Sequence, residues 1–67
     1  MRVQLNGQPQ DLPDGGLLAD AFKHLGIGDP RGVAVALDGE VVPRSRWPVT
    51  RLTEGQIIEI LRAVQGG

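Results

Sequence analysis

Sixty-seven residues, 40% of them apolar, with 10 glycines, no cysteine and a formal charge of −1, describe one small domain. A chain this short buries only about 60% of the surface its unfolded form exposes, which leaves no room for two cores. The missing cysteines exclude disulfide staples and thiolate metal sites, and 7 basic against 8 acidic residues create no large field toward nucleic acid or an anionic membrane.

No apolar run approaches the roughly 20 residues of a membrane helix. The first residues also lack a basic region followed by an apolar stretch. A cytoplasmic protein with no nucleic-acid or membrane partner, monomeric when free, is therefore expected.

In chain order, Val3 and Leu5 alternate with Arg2 and Gln4, and Asn6-Gly7 then supplies two residues that tolerate positive φ. The extended pattern resumes from Gln8 to Leu12, so the spacing predicts a hairpin. Pro9 lacks a backbone donor, which places this second strand at a sheet edge.

After the turn cluster Pro13-Asp14-Gly15-Gly16, the residues Leu17, Leu18, Ala21, Phe22 and Leu25 fall on one helical face. Gly16 is expected at the N-cap, and Gly26 as the left-handed residue that stops the helix, with Ile27 folding back on the last turn. The stretch from Gly28 to Gly32 is a loop.

Val33 to Leu37 is apolar at every position, which suits a strand covered by the helix on one side and by chain or partner on the other. Asp38-Gly39 is a second hairpin turn, and Glu40 to Pro43 the short return strand. Arg44 to Pro48 reads as irregular, and Val49 to Leu52 as a short strand or a helical turn. Gln56 to Leu61 is rich in β-branched residues and forms the last strand.

The order ββαβββ closes most compactly as a mixed sheet with one helix across one face and the last strand parallel to the first. That is an α+β fold of the β-grasp, or ubiquitin-like, architecture. Residues 1–67 form one domain, ending in a Gly66-Gly67 tail expected to be flexible.

Little in the chain supports a self-contained enzyme. The candidate nucleophiles Ser45, Thr50 and Thr53 have no readable partner, and His24 lies on the polar helix face, where it reads as a solvated residue. One histidine with scattered carboxylates does not make a metal site. Gly26, Gly28 and Gly32 follow a helix and precede a strand, the reverse of a phosphate-binding loop. Gly15-Gly16 opens a helix without the Lys-Ser or Lys-Thr of a P-loop.

Two segments carry more. In Pro43-Arg44-Ser45-Arg46-Trp47-Pro48 the first reading is a tryptophan plugging the core among solvated arginines; contact with a protein partner comes second and stacking on nucleic acid third. At the C-terminus, Gly66-Gly67 follows the last strand closely. Two glycines give the slimmest possible peptide with the widest choice of backbone angles, as an enzyme needs that activates a terminal carboxylate inside a narrow channel. The residues after Arg62 extend roughly 17 Å at about 3.3 to 3.6 Å each.

These residues resemble the sulfur carrier proteins of thiamine biosynthesis, the ThiS family. The resemblance runs essentially end to end, through Asn6-Gly7, Leu12-Pro13-Asp14-Gly15, Arg31-Gly32-Val33-Ala34-Val35-Ala36, Asp38-Gly39-Glu40-Val41-Val42-Pro43-Arg44-Ser45 with Trp47, and Gly66-Gly67. Family members often carry Ser or Thr where this chain has Gly16.

The resemblance implies a carrier acted on by partner enzymes, not an enzyme, with no cofactor or metal of its own. An adenylyltransferase of the ubiquitin-activating type would use ATP and Mg²⁺ to adenylate Gly67. Sulfur from a cysteine desulfurase route would leave a thiocarboxylate, and thiazole synthase would accept that sulfur. Gln65 and Gly66 would thread the partner's active site. Arg44, Arg46, Trp47, Arg62 and Val64, with apolar exposed positions on the last strands, are the candidate docking residues. Two alternatives stand beside this reading: a carrier of the molybdopterin synthase type, and a ubiquitin-like binding module with an idle tail.

Overall fold

The computed structural model describes residues 1–62. The strand β1 (Arg2–Leu5) turns through Asn6-Gly7, both with positive φ, into β2 (Gln8–Asp11). The helix α1 (Leu18–His24) follows, then β3 (Val33–Leu37), β4 (Glu40–Val41), a 3-10 helix (Arg44–Val49) and β5 (Ile57–Arg62). The five strands make one sheet in the order β2-β1-β5-β3-β4. The first and last strands lie side by side and parallel, and the other pairings are antiparallel. This is the β-grasp arrangement expected from the sequence.

Period-two alternation decides which side chains reach the core. Val3 and Leu5 of β1, Val35 of β3 and Ile58 and Ile60 of β5 point to one face of the sheet, where they meet Leu18, Ala21, Leu52 and Trp47. Each of the buried Val, Leu and Ile side chains contributes about 1.5 to 3 kcal/mol by leaving water, and together they hold the helix on the sheet. Ala34 on the opposite face of β3 is exposed. Among the described residues, the helix covers one face of β3 and no element packs across the other.

The edges of the sheet are short and interrupted. Pro9 lies on the outer strand β2, as its missing donor requires. Its partner Gln4 directs its own N–H the other way, to the Gln56 carbonyl at 2.9 Å, so no ladder bond is lost at the proline. The opposite edge, β4, is two residues long.

Local chemistry corrects three expectations. The N-cap is Leu17, one residue later than read from the sequence, and Asp20 secures it by accepting the Leu17 N–H at 2.8 Å. Gly16 is buried just before it for a different reason: a Cβ there would stand 2.9 Å from the Pro13 carbonyl and 2.9 Å from the Asp20 carboxylate. A serine or threonine cap has no space at this position.

The segment from Arg44 to Val49 is a 3-10 helix instead of irregular chain. Its start after Pro43 and the Pro48 inside it hide any periodicity from sequence reading. Arg51 then makes an isolated bridge to Leu17, tying the loop to the helix start.

At the other end of α1 the expectation holds. Gly26 has φ 73°, its N–H bonds the Lys23 carbonyl, and Ile27 bonds the Phe22 carbonyl at 2.9 Å, which together form a Schellman stop. Leu25, expected on the buried helix face, is the C-cap residue and is exposed.

Candidate functional site

The outer face of the sheet carries exposed apolar side chains from three strands. Register places Val41 beside Ala36, Ala36 beside Glu59, and Ala34 beside Leu61, all on the face away from the helix. Val41 is 79% exposed and Leu61 66% exposed, and Ile57 lies on the same face of β5. A shallow depression of about 170 Å³ runs among Ala34, Ala36, Val41, Glu59 and Leu61. Leu61 is the penultimate described residue, so this apolar stripe leads directly to the root of the C-terminal segment.

Arg62 stands at that root and donates from Nη2 to the Asp29 carbonyl at 3.3 Å. Asp29 is itself held by Arg31, whose Nη2 lies 2.7 Å from Oδ2 and whose Nε donates to the same carboxylate. The Arg31 guanidinium and its backbone N–H keep the Asp29 carboxyl below the usual range, and the more distant charges of Arg62 and Arg44 act in the same sense. Arg46 is placed elsewhere, on the wall of an open cavity of about 440 Å³ between β4 and the 3-10 helix, beside Val41 and Pro43.

Trp47, named with the arginines as a docking candidate, is buried where they are exposed. It is 8% exposed, donates from Nε1 to the Val42 carbonyl at 2.9 Å, and meets Phe22 edge-on with ring centroids 5.1 Å apart. The indole is packed into the core, while Arg44, Ser45 and Arg46 before it are exposed. The structure thereby selects the core-plug reading of this segment. Val64, Gln65, Gly66 and Gly67 lie outside the described residues.

The hydroxyl and imidazole groups remain scattered. His24 is exposed at the end of α1, Ser45 is exposed, and the Thr50 hydroxyl donates to the Arg46 carbonyl at 2.6 Å. Among the described residues no group of three or more His, Asp or Glu side chains converges as a metal site. No helix among the described residues is long and apolar enough to cross a membrane.

Sequence reading missed what two turn residues do for β5. Asn6 and Asp38, taken only as turn formers, each send a side chain to that strand: Asn6 to both polar backbone atoms of Ile60, and Asp38 to the Ile57 N–H. Their left-handed turns were readable; the bonds were not, because they span 54 and 19 residues.

The chain is similar to known proteins over nearly its whole length. The model of the ThiS family matches residues 3–67. Sulfur carrier protein ThiS of Thermus thermophilus is 34% identical over 65 residues, which cover 97% of this chain and 98% of that one. Among solved structures, the crystal structure of the thiamine biosynthesis protein ThiS from Geobacter metallireducens superposes with a TM-score of 0.81 at 26% identity, each chain covered completely. The solution structure of a thiamine biosynthesis protein from the same organism gives 0.79 at 28% identity, covering 100% of this chain and 88% of that one. With β-grasp topology, an end-to-end family match and a relative of this identity, the chain belongs to the ThiS family.

Proposed function

We propose that this protein is a sulfur carrier in thiamine biosynthesis, whose reactive group is the carboxylate of Gly67. The observation that carries the reading is the family match that runs through residue 67, joined to a relative named as a sulfur carrier along 98% of its length. The chain supplies no catalytic group in this scheme; it presents a carboxylate and a surface.

A partner adenylyltransferase of the ubiquitin-activating type takes ATP and Mg²⁺ as its own substrates. The Gly67 carboxylate attacks the α-phosphorus, pyrophosphate departs, and the acyl-adenylate has AMP as a good leaving group. A sulfur nucleophile from a cysteine desulfurase route expels AMP to leave the thiocarboxylate. Thiazole synthase then accepts the sulfur. Gln65 and Gly66 thread toward the partner's active site, and the two terminal glycines give the slimmest peptide for its narrowest part. The outer-face residues Ala34, Val41 and Leu61 dock by apolar burial, with Arg44, Arg46 and Arg62 beside them, and Val64 continues that contact. Guanidinium groups suit carboxylates of a partner because of their fork geometry.

Intact mass tests the reading. Incubated with its cognate adenylyltransferase, ATP, Mg²⁺ and a sulfur source, the protein should gain the mass of one oxygen-to-sulfur exchange. An unchanged mass where a known carrier is converted would refute the proposal. Deleting Gly67 should abolish the exchange with no loss of thermal stability, and His24→Ala should leave it intact.

A further inference from the structure

Asn6 (φ 51°) and Asp38 (φ 49°) are the residues other than glycine that hold a positive φ among those described. Each opens a two-residue hairpin turn completed by glycine, and each reaches β5 with its side chain. The turn itself needs only the left-handed backbone, which glycine also adopts. The side chains do something additional.

The ladder explains what that is. β1 and β5 pair in parallel as far as Leu5 and Ile58, and the Asn6 N–H continues to the Ile58 carbonyl at 2.9 Å. The chain then turns away into β2. The next donor on this edge of β5 is the Ile60 N–H, and Asn6 Oδ1 accepts it at 2.8 Å while Nδ2 donates to the Ile60 carbonyl at 3.1 Å. The carboxamide stands in for one more peptide group of β1. At the start of β5 Asp38 acts similarly: its N–H bonds the Ile57 carbonyl at 2.8 Å and its Oδ1 accepts the Ile57 N–H at 3.0 Å.

The two clasps differ in position. Asp38 holds the first residue of β5, and Asn6 holds the residue two before Arg62. On the β3 side pairing continues to Val33 and Arg62. On the β1 side only the Asn6 side chain secures β5 beyond Ile58. We propose that Asn6 is a positioning residue for the carrier reaction: its carboxamide fixes where, and in which direction, the chain leaves the sheet toward Gly66 and Gly67. The inference rests on the sulfur-carrier reading of Gly67. Without the clasp, the end of β5 that carries Leu61 and Arg62 would be held from the β3 side alone, and the freedom gained on the β1 side would have to be removed on each encounter with the adenylyltransferase.

The experiment uses the full chain and its cognate adenylyltransferase, with ATP, Mg²⁺ and a sulfur source. Asn6→Gly keeps the left-handed turn and removes the clasp; Asn6→Asp keeps the acceptor and removes the donor; Asp38→Gly removes the clasp at the far end. In Asn6→Gly the Ile60 amide should exchange faster, and KM for the carrier should rise roughly five- to thirtyfold, the factor for ordering one backbone residue, with kcat unchanged. Asn6→Asp should fall between this variant and the unmodified protein. Asp38→Gly should free the Ile57 amide and leave KM within about twofold. An unaltered KM in Asn6→Gly overturns the proposal. An equal rise in both glycine variants also overturns it, by making the effect one of general stability. Failure of the unmodified protein to be converted at all refutes the carrier reading itself, and this inference with it.

Discussion

Ile57 and Ile58 are neighbours in the same strand and of the same residue type, yet Ile58 is fully buried under the helix and Ile57 is 48% exposed on the outer face. The same division runs along the rest of β5, where Ile60 points in and Leu61 points out. Hydrophobicity alone does not say what a residue in this strand is for. The face does, because the pleat sends one set to the core and leaves the other open on the outer side.

Paired substitutions sharpen this contrast. A domain of 67 residues has a total stability on the order of 3 to 10 kcal/mol. Ile58→Ala should cost about 2 to 5 kcal/mol in chemical denaturation, a large part of that total. Ile57→Ala next to it should cost well under half as much; equal losses would break the comparison.

A smaller effect is expected from Gly16→Ala. The added Cβ meets the Pro13 carbonyl and the Asp20 carboxylate at 2.9 Å, so a loss of about 1 to 3 kcal/mol is expected from overpacking. A stabilised Gly16→Ala variant would show that the layer beneath the helix has slack.

Leu61→Ser on the open face should change stability by no more than about 0.5 kcal/mol. Its effect should appear instead as slower conversion by the adenylyltransferase. A variant as destabilised as Ile58→Ala, and converted normally once folded, would reverse the roles assigned to the two faces.

The least effect is expected from acid titration of exposed pairs. Arg31 lowers the Asp29 carboxyl and Arg2 lowers that of Asp11. A folded-state value below the unfolded one means stability that is fully present above the ordinary carboxylate range and lost as pH falls through the lowered values. Both pairs are solvent-exposed, so Asp29→Asn should remove only a small part of this slope in urea melts recorded as a function of pH.

Much of the fold was legible because its signals are local. Asn6-Gly7 and Asp38-Gly39 mark hairpins, Gly26 marks a helix stop, and the β-branched run marks β5, so element order and parallel closure follow. The 3-10 helix was not legible, since its two flanking and internal prolines mask a period and its regularity depends on Trp47 being drawn into the core. The N-cap shifted by one residue because the capping group is Asp20, reaching backward from inside the helix. Of the candidate site, the exposure of Val41 and Leu61 follows from alternation once a sheet is assumed. The bond from Arg62 to the Asp29 carbonyl joins residues 33 apart in sequence and has no local signal. The burial of Trp47 was not decided by its sequence, because an aromatic among arginines has the same signature whether it plugs a core or faces a partner.

The edge strands have a consequence of their own. A protein that displays an open apolar sheet face is vulnerable to growing by strand addition, since an unpaired edge offers N–H and C=O groups as a template. Here one edge carries Pro9, which cannot donate, and the other offers only the two residues Glu40 and Val41. An incoming strand would find too few partners on either side to register. The molecule can thus keep a sticky face without nucleating cross-β aggregates.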